Sequence, residues 1–459
     1  MTAFRGATVA WAAYACAAGV VSAFALLAWA RALALAGPVL YGEGAVAHAA
    51  LLARTLDTYR DPVGAAFTAA NYPPLYVTLA SVGDPFVTGR VLSIVATLAV
   101  AGLVAWRARE APPLVRAALA AGWLALVPVA IWGPAVKPDL LALALTVAAV
   151  IMLERRRAGL AAALLVLAIA AKPTAILPAL VLLGWIVARD RALLRPFAVF
   201  GAIALAVAGI ACIPFGYDGL WRHVVGYNAL PWTAEQAALL AFVAVAVEVA
   251  LLGGGLATRG FAGPIGAYAV AAVGVVVLGG REGATINYVL DLGAAASLAL
   301  ASRGRDLART PLYPVAAIVN LVIAVALFDP LGIVPGRTAS TGSWGDGSRI
   351  TAAKEALAGD ETILAEDSGL LIATGHRVAV DDLFLWSRLV ANGTIDPSPV
   401  LGGVEAARFT AIVSEVELSR LGDAAAYERS RWDPALVRAV DERYRLAARV
   451  GGLFVYRPR

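Results

Sequence analysis

Eleven apolar runs, most of them close to the length that crosses a bilayer, follow one another through the first 330 residues. They lie near 8–30, 85–106, 114–132, 138–153, 158–171, 173–188, 196–214, 234–253, 261–279, 286–301 and 311–328. A hydrocarbon core needs about 20 such residues per crossing and offers no partner to a backbone N–H or C=O, so each run has to be helical. The runs at 158–171 and 173–188 are short and meet at Lys172-Pro173, as a helical hairpin below full depth would. The expected fold class is therefore a polytopic α-helical membrane protein of about eleven transmembrane helices. The first run is too long for the apolar core of a signal peptide and is read as an uncleaved span.

Charge divides the chain in two. Of its 69 Asp, Glu, Lys and Arg residues, 31 fall within 338–459, a quarter of that stretch, against about a tenth of the positions before it. The expected domains are a transmembrane region at 1–330, with a long first outer loop at 37–84, and a soluble domain at 338–459. Lysine is scarce (Lys137, Lys172 and Lys354) and the basic residues are mostly arginines in short loops. That is the distribution of the positive-inside rule, and it excludes a nucleic-acid groove. Cys16 and Cys212 lie far apart in apolar segments without metal-ligand spacing, and read as small buried hydrophobes.

Counting from an N-terminus inside, the cytoplasmic segments hold fourteen arginines, among them Arg107, Arg155, Arg156, Arg157, Arg189, Arg259 and Arg303. The short opposite loops hold only Lys137, Lys172, Arg222 and Arg281. The asymmetry predicts a cytoplasmic N-terminus, and an odd number of spans then puts the C-terminal domain outside. Within the first outer loop, 44–57 has apolar residues at helical spacing, as an interfacial helix would. The segment 215–233 is rich in aromatics with polar tips, which suit the membrane interface.

The tail reads as an α/β domain. Helices are expected at 349–358, 368–373 and 382–391, strands at 362–365, 377–380 and 409–414, and a hairpin over 444–456 with Gly451-Gly452 at its turn. If the sheet is open and parallel, the acidic turns at Glu366-Asp367 and Asp381-Asp382 lie at the strand ends where such sheets bind ligands. Both also suit helix capping, which is the commoner use of such residues.

Several short motifs place chemistry at the outer ends of spans. Glu43, between Gly42 and Gly44, stands where a carboxylate base could reach a hydroxyl, or where an acid merely favours a helix start. Asn71-Tyr72-Pro73-Pro74 fixes an extended lead into the next helix. Lys137-Pro138-Asp139 and Lys172-Pro173-Thr174 each put a cation at a span's end, to hold a phosphate or to snorkel. Arg281-Glu282 leads into Asn287-Tyr288, with an internal ion pair as its plainer use. Together with His48, Arg222 and His223 these groups would ring one outer cavity. One carboxylate and several cations suit transfer from a lipid-phosphate sugar, the cations holding the leaving phosphate and the base taking the acceptor's proton.

In their order, these motifs resemble the bacterial membrane glycosyltransferases of the C superfamily (GT-C), the polyprenyl-phosphate-sugar-dependent group that includes protein mannosyltransferase-like and aminoarabinose-transferase-like enzymes. The resemblance covers roughly residues 10–330. It rests on Glu43 after the first span, Asn71-Tyr72-Pro73-Pro74-Leu75-Tyr76, Lys137-Pro138-Asp139, Lys172-Pro173-Thr174 and Gly283-Ala284-Thr285-Ile286-Asn287-Tyr288. It implies inverting transfer of a sugar from a polyprenyl phosphate to a glycan, lipid or protein acceptor at the outer face of a bacterial cytoplasmic membrane, among membrane lipids. Glu43 is then the catalytic base. Lys172 and Arg281, with Lys137, His223 and Arg222, take the donor phosphate. Tyr72, Asp139, Asn287 and Tyr288 contact substrate, and beyond the reach of the resemblance the acidic turn at Asp381 and Asp382 is expected to help position the acceptor. The family usually carries Asp, or an Asp-Glu pair, where Gly42-Glu43 supplies one carboxylate. No metal ligand is assigned, and a divalent cation stays an open alternative.

Other classes fit less well. A transporter or flippase of an anionic or lipid-linked substrate accounts for the spans but not for the long outer loop and the tail. An assembly protein leaves the cations without a use. A zinc enzyme lacks histidine pairs at ligand spacing, and a nucleotide-sugar enzyme lacks a glycine-rich phosphate loop.

Overall fold

The computed structural model describes residues 2–329, 344 and 346–459; the junction that the sequence places at 330–338 lies outside them. The chain divides into two compact units. The helical unit comprises Met1–Arg31, Arg90–Ala211 and Pro231–Ser343. The sheet unit comprises Ala32–Gly89, Cys212–Leu230 and Trp344–Arg459, so that the first long loop and the 215–230 segment fold with the tail.

Every one of the eleven apolar runs is helical, but among the described residues only four helices have the length and composition to cross a bilayer alone: Gly6–Ala34, Pro85–Arg107, Arg191–Phe215 and Ala234–Ala257. The others are shorter, and the reasons are local. The run at 114–132 breaks into Pro113–Leu124 and Val127–Trp132 around Pro128. Ala158–Ala171 stops at Lys172, because Pro173 forces the residue before it out of the helical region. At 14 residues it is about 21 Å long, against a core of about 30 Å. A count of eleven complete spans is thus finer than the helices support. The helix Leu194–Cys212 buries Phe197 alone, while Val199, Phe200, Ile203, Leu205, Val207 and Ile210 stand about half exposed or more. A wholly apolar exposed surface of that kind belongs against lipid, and marks the chain as a multi-pass membrane protein. Cys16 also lies on an exposed face, not in the core.

Tryptophans and amides tie the helices together. Trp11 Nε1 donates to Leu307 O at 3.1 Å and Trp29 Nε1 to Ala130 O at 2.8 Å. Asn320 Nδ2 donates to Ala246 O at 2.7 Å, and its Oδ1 accepts from Ala250 N at 3.2 Å. Such bonds have no competing water inside a membrane, which makes them specific fasteners between helices.

The sheet unit is built on four strands, β1 Ile363–Ala365, β2 Ala411–Ser414, β3 Tyr444–Val450 and β4 Leu453–Pro458, in the order β1-β2-β4-β3. Only β1 and β2 run parallel; β4 is antiparallel to both of its neighbours. The sheet is therefore mixed, not open and parallel. Side chains alternate between two cores, as a pleat requires. Leu364, Ile412 and Tyr456 face Trp386, Trp432 and Leu436. Ile363, Ala365, Ala411, Val413 and Val455 face Ala353, Leu357 and Leu371.

Two expectations change here. Arg377–Val380 is not a sheet strand: Val380 makes one isolated bridge to Phe67, and Phe67 N donates to Ala379 O at 2.8 Å. The β-branched run is extended as its composition favours, but its partner is the first long loop. The helix Glu43–Ala53 is not amphipathic either, since eight of its residues are buried, most of them Ala or Gly. Small residues let it pack closely. A Cβ on Gly44 would stand 2.2 Å from Gly369 N and 2.4 Å from Ser368 Oγ.

That approach admits no side chain. Gly44→Ala should destabilise the sheet unit by about 1–3 kcal/mol through overpacking. Gly402→Ala, where nothing lies within 4 Å, should leave it unchanged. Urea unfolding followed by tryptophan fluorescence checks the pair; equal midpoints would mean that Glu43–Ala53 and the helix Ser368–Thr374, which carries Gly369, separate freely.

Candidate functional site

In the helical unit three motifs, far apart in sequence, meet. Asp139 opens the helix Asp139–Glu154 directly after Pro138. Lys172 is the extended residue that ends Ala158–Ala171, and Asn287 and Tyr288 sit in the short turn Ile286–Val289 before the helix Leu290–Ser302. Lys172 Nζ lies 2.6 Å from Asp139 Oδ1, and Asn287 Nδ2 donates to the same oxygen at 2.6 Å. Thr285 Oγ1 donates to Asn287 Oδ1 at 2.7 Å, which fixes which way the amide points. Lys172 Nζ also stands 4.9 Å from the centroid of the Tyr288 ring, and Arg281 Nη2 donates to Tyr288 OH at 3.0 Å. Two cations thus flank one tyrosine. Asp139, Lys172, Asn287 and Asp291 line a small cavity with Thr146 and Thr174, and Asp139 Oδ2 is buried there without a hydrogen bond.

Lys137, just before Pro138, also belongs to the helical unit, and its carbonyl accepts from Ser93 Oγ at 3.2 Å; the remaining candidates lie in the sheet unit. Gly42 turns the chain with φ 77°, a left-handed angle that suits glycine. Glu43 follows as the first helical residue, fully buried, and its Oε2 accepts from Val39 N at 2.8 Å. From the tail, Asp381 reaches the first long loop: Oδ1 accepts from Ala69 N at 2.7 Å and Oδ2 faces His48 Nδ1 at 3.1 Å. Asp382 caps the helix Leu383–Ala391 through Leu385 N and accepts weakly from Tyr41 OH at 3.4 Å. Asp367 likewise caps Ser368–Thr374 through Gly369 N. Tyr72 offers its carbonyl to Tyr59 OH at 2.6 Å.

His223 is fully buried between the rings of Tyr59 and Tyr227, and among the described residues neither ring nitrogen has a hydrogen-bond partner. Burial holds it down to about 4; Asp381 opposes that and Arg222 adds to it. A neutral imidazole can offer a phosphate one N–H but no charge, and Nε2 here stands 3.7 Å from Asp61 Oδ1. Arg222 is exposed and pairs with Asp61. Burial, with Glu415 nearby, pushes the Asp367 carboxyl up to about 7; Glu43 adds to the rise and Arg349 offsets part of it.

Sequence reasoning missed three features. Arg431 is buried against the rings of Tyr41 (4.0 Å) and Tyr427 (4.7 Å), and pairs with Glu366 at 2.9 Å and Glu415 at 2.6 Å. An arginine in an ordinary polar tail carries no mark of burial. Asp367 stands within electrostatic reach of Glu43, a pairing across more than 300 positions. Glu248 was legible as an acid inside an apolar run; it is fully buried beside Gly293, and neither oxygen has a hydrogen bond. Among the described residues no group of three or more His, Cys, Asp or Glu gathers to hold a metal ion.

No protein-family model matches the chain, and no curated protein matches it in sequence. Solved structures do match in fold. ArnT from Cupriavidus metallidurans in its apo state superposes with a TM-score of 0.58 at 14% identity, over 95% of this chain and 97% of that one. The same protein bound to undecaprenyl phosphate gives 0.55 at 14% identity over the same shares. An oligosaccharyltransferase from Archaeoglobus fulgidus aligns more loosely, at 0.48 and 13% identity over 92% of this chain and 72% of that one. The chain thus shares the fold of ArnT over nearly its whole length.

The Asp367 carboxyl makes the sheet unit's stability depend on pH. With a folded value near 7 against an ordinary 3.8, the folded state holds the extra proton between those limits, so stability falls as pH rises from about 4 to 7. Asp367→Asn keeps the cap and removes the buried charge. It should flatten that slope and stabilise the unit at pH 8 by about 2–4 kcal/mol. Unfolding midpoints at pH 5 and pH 8 check this; an unchanged slope would contradict it.

Proposed function

We propose that the protein is a membrane glycosyltransferase that moves a sugar from a polyprenyl-phosphate donor to an acceptor hydroxyl at the outer face of a bacterial cytoplasmic membrane, with inversion. The observation that carries this reading is the meeting of Asp139, Lys172, Asn287 and Tyr288, from three separate motifs, in one charged cluster. That cluster sits in a chain sharing its fold with a protein solved with undecaprenyl phosphate.

Lys172 and Arg281, one on each side of Tyr288, hold the leaving phosphate, with Lys137 and Arg222 as further cations. Asp139 and Asn287 keep the Lys172 ammonium in place and charged while no phosphate is bound. The acceptor oxygen attacks the anomeric carbon from the side opposite the phosphate. The bond from that carbon to the phosphate oxygen breaks, polyprenyl phosphate leaves with the electron pair, and the hydroxyl proton passes to the Glu43 carboxylate. Tyr72 contributes to substrate binding. The fourteen-to-four distribution of basic residues supports a cytoplasmic N-terminus and a sheet unit outside.

Membranes containing the protein, given radiolabelled arabinose, aminoarabinose, mannose or glucose on undecaprenyl phosphate, should pass label from one of these to an envelope fraction. Nucleotide sugars should give no transfer. Glu43→Gln keeps shape and hydrogen bonding without the charge, and should lower turnover about 10²–10⁴-fold with normal expression. A variant that keeps about a third of wild-type turnover, far above that range, would place the base elsewhere.

A further inference from the structure

The one histidine that is both anchored and open is not the one that the cation pattern favours. The chain has three. His223 is fully buried, and His376 is bonded at both nitrogens, to Thr374 Oγ1 at 2.8 Å and to Leu357 O at 3.1 Å. His48, on the helix Glu43–Ala53, is held among the described residues only at Nδ1, by Asp381 Oδ2, and its side chain is 15% exposed.

The Asp381 carboxylate is itself fully buried. Its other oxygen accepts Ala69 N, and its backbone is pinned on both sides, Asp381 N donating to Phe67 O at 3.3 Å and Ser368 Oγ donating to Asp381 O at 2.6 Å. Both of its oxygens are thereby engaged within the sheet unit. A carboxylate facing Nδ1 favours the tautomer that carries its N–H there, and leaves Nε2 of the partly exposed ring to meet a hydroxyl. A ring set in one tautomer and one orientation by a buried acid is built to receive a hydroxyl.

We propose that His48 binds a hydroxyl of the acceptor through Nε2, with Asp381 as the positioning residue behind it. The ligand class is a polyol, a sugar above all, and the proposal rests on the glycosyltransferase reading. It gives the tail a role in acceptor selection, exercised through a residue of the first long loop.

The purified full chain, in a detergent without sugar, is treated with diethylpyrocarbonate and the modified histidines are mapped by mass spectrometry. His48 should react well ahead of His223 and His376. One of a panel of octyl glycosides (glucose, galactose, mannose, arabinose) should shield it severalfold, and undecaprenyl phosphate alone should not. His48→Gln should raise the KM for that glycoside about tenfold, the worth of one hydrogen bond, with turnover at saturation within about threefold of wild type. Asp381→Asn should shift the KM in the same direction, and the double variant should be no worse than His48→Gln. Reaction no faster than that of His223, shielding by undecaprenyl phosphate and by no glycoside, or an unchanged KM would each overturn the proposal. Wild-type protein that transfers nothing while a glycoside still shields His48 would instead retire the glycosyltransferase reading and leave the hydroxyl site standing.

Discussion

Lys172 and Asp139 lie 2.6 Å apart with side chains 9% and 2% exposed, and the helical unit is arranged around keeping them so. Taking either charge out of water alone costs several kcal/mol, and their attraction repays it only if the geometry is good and the remaining polar atoms are bonded. Asn287 supplies that bond from a third motif, and Thr285 holds Asn287. The pair therefore couples the start of one helix, the end of another and the turn before a third. Among the described residues one oxygen of Asp139 has no hydrogen bond, and it stands beside the small cavity that the pair lines with Asn287.

The sheet unit uses buried charge in a different way. Asp381 spends both oxygens on the first long loop, and Arg431 is enclosed by two acids and two tyrosine rings. These contacts make a segment near the start of the chain and a domain at its end one folded body. The placement of Glu43 and His48 thus depends on residues more than 300 positions away.

What was legible follows from which forces act locally. The apolar runs were legible because a bilayer imposes length and composition directly on sequence. β1, β2 and the terminal hairpin were legible from β-branched residues and Gly451-Gly452. Where helices stop short was less so: hydropathy is blind to the break around Pro128, which changes direction without changing polarity. Val378-Ala379-Val380 looked like a sheet strand because its composition is that of one, and only tertiary pairing with Phe67 decided otherwise. Each lysine motif could be singled out, but not the pairing of Lys172 with Asp139, which joins positions 33 apart. The burial of His223 left no trace in a segment that reads as an interface belt.

The central claim is that the cations beside Tyr288 recognise a lipid-linked phosphate. Binding of undecaprenyl phosphate and of undecaprenol to the purified protein, wild type and Arg281→Gln, measured by native mass spectrometry, tests it directly. The account predicts that undecaprenyl phosphate binds wild type far more tightly than undecaprenol does, and that Arg281→Gln loses about tenfold or more of that preference, as a charge-assisted hydrogen bond would require. Equal binding of the two lipids, or a preference untouched by Arg281→Gln, would contradict it.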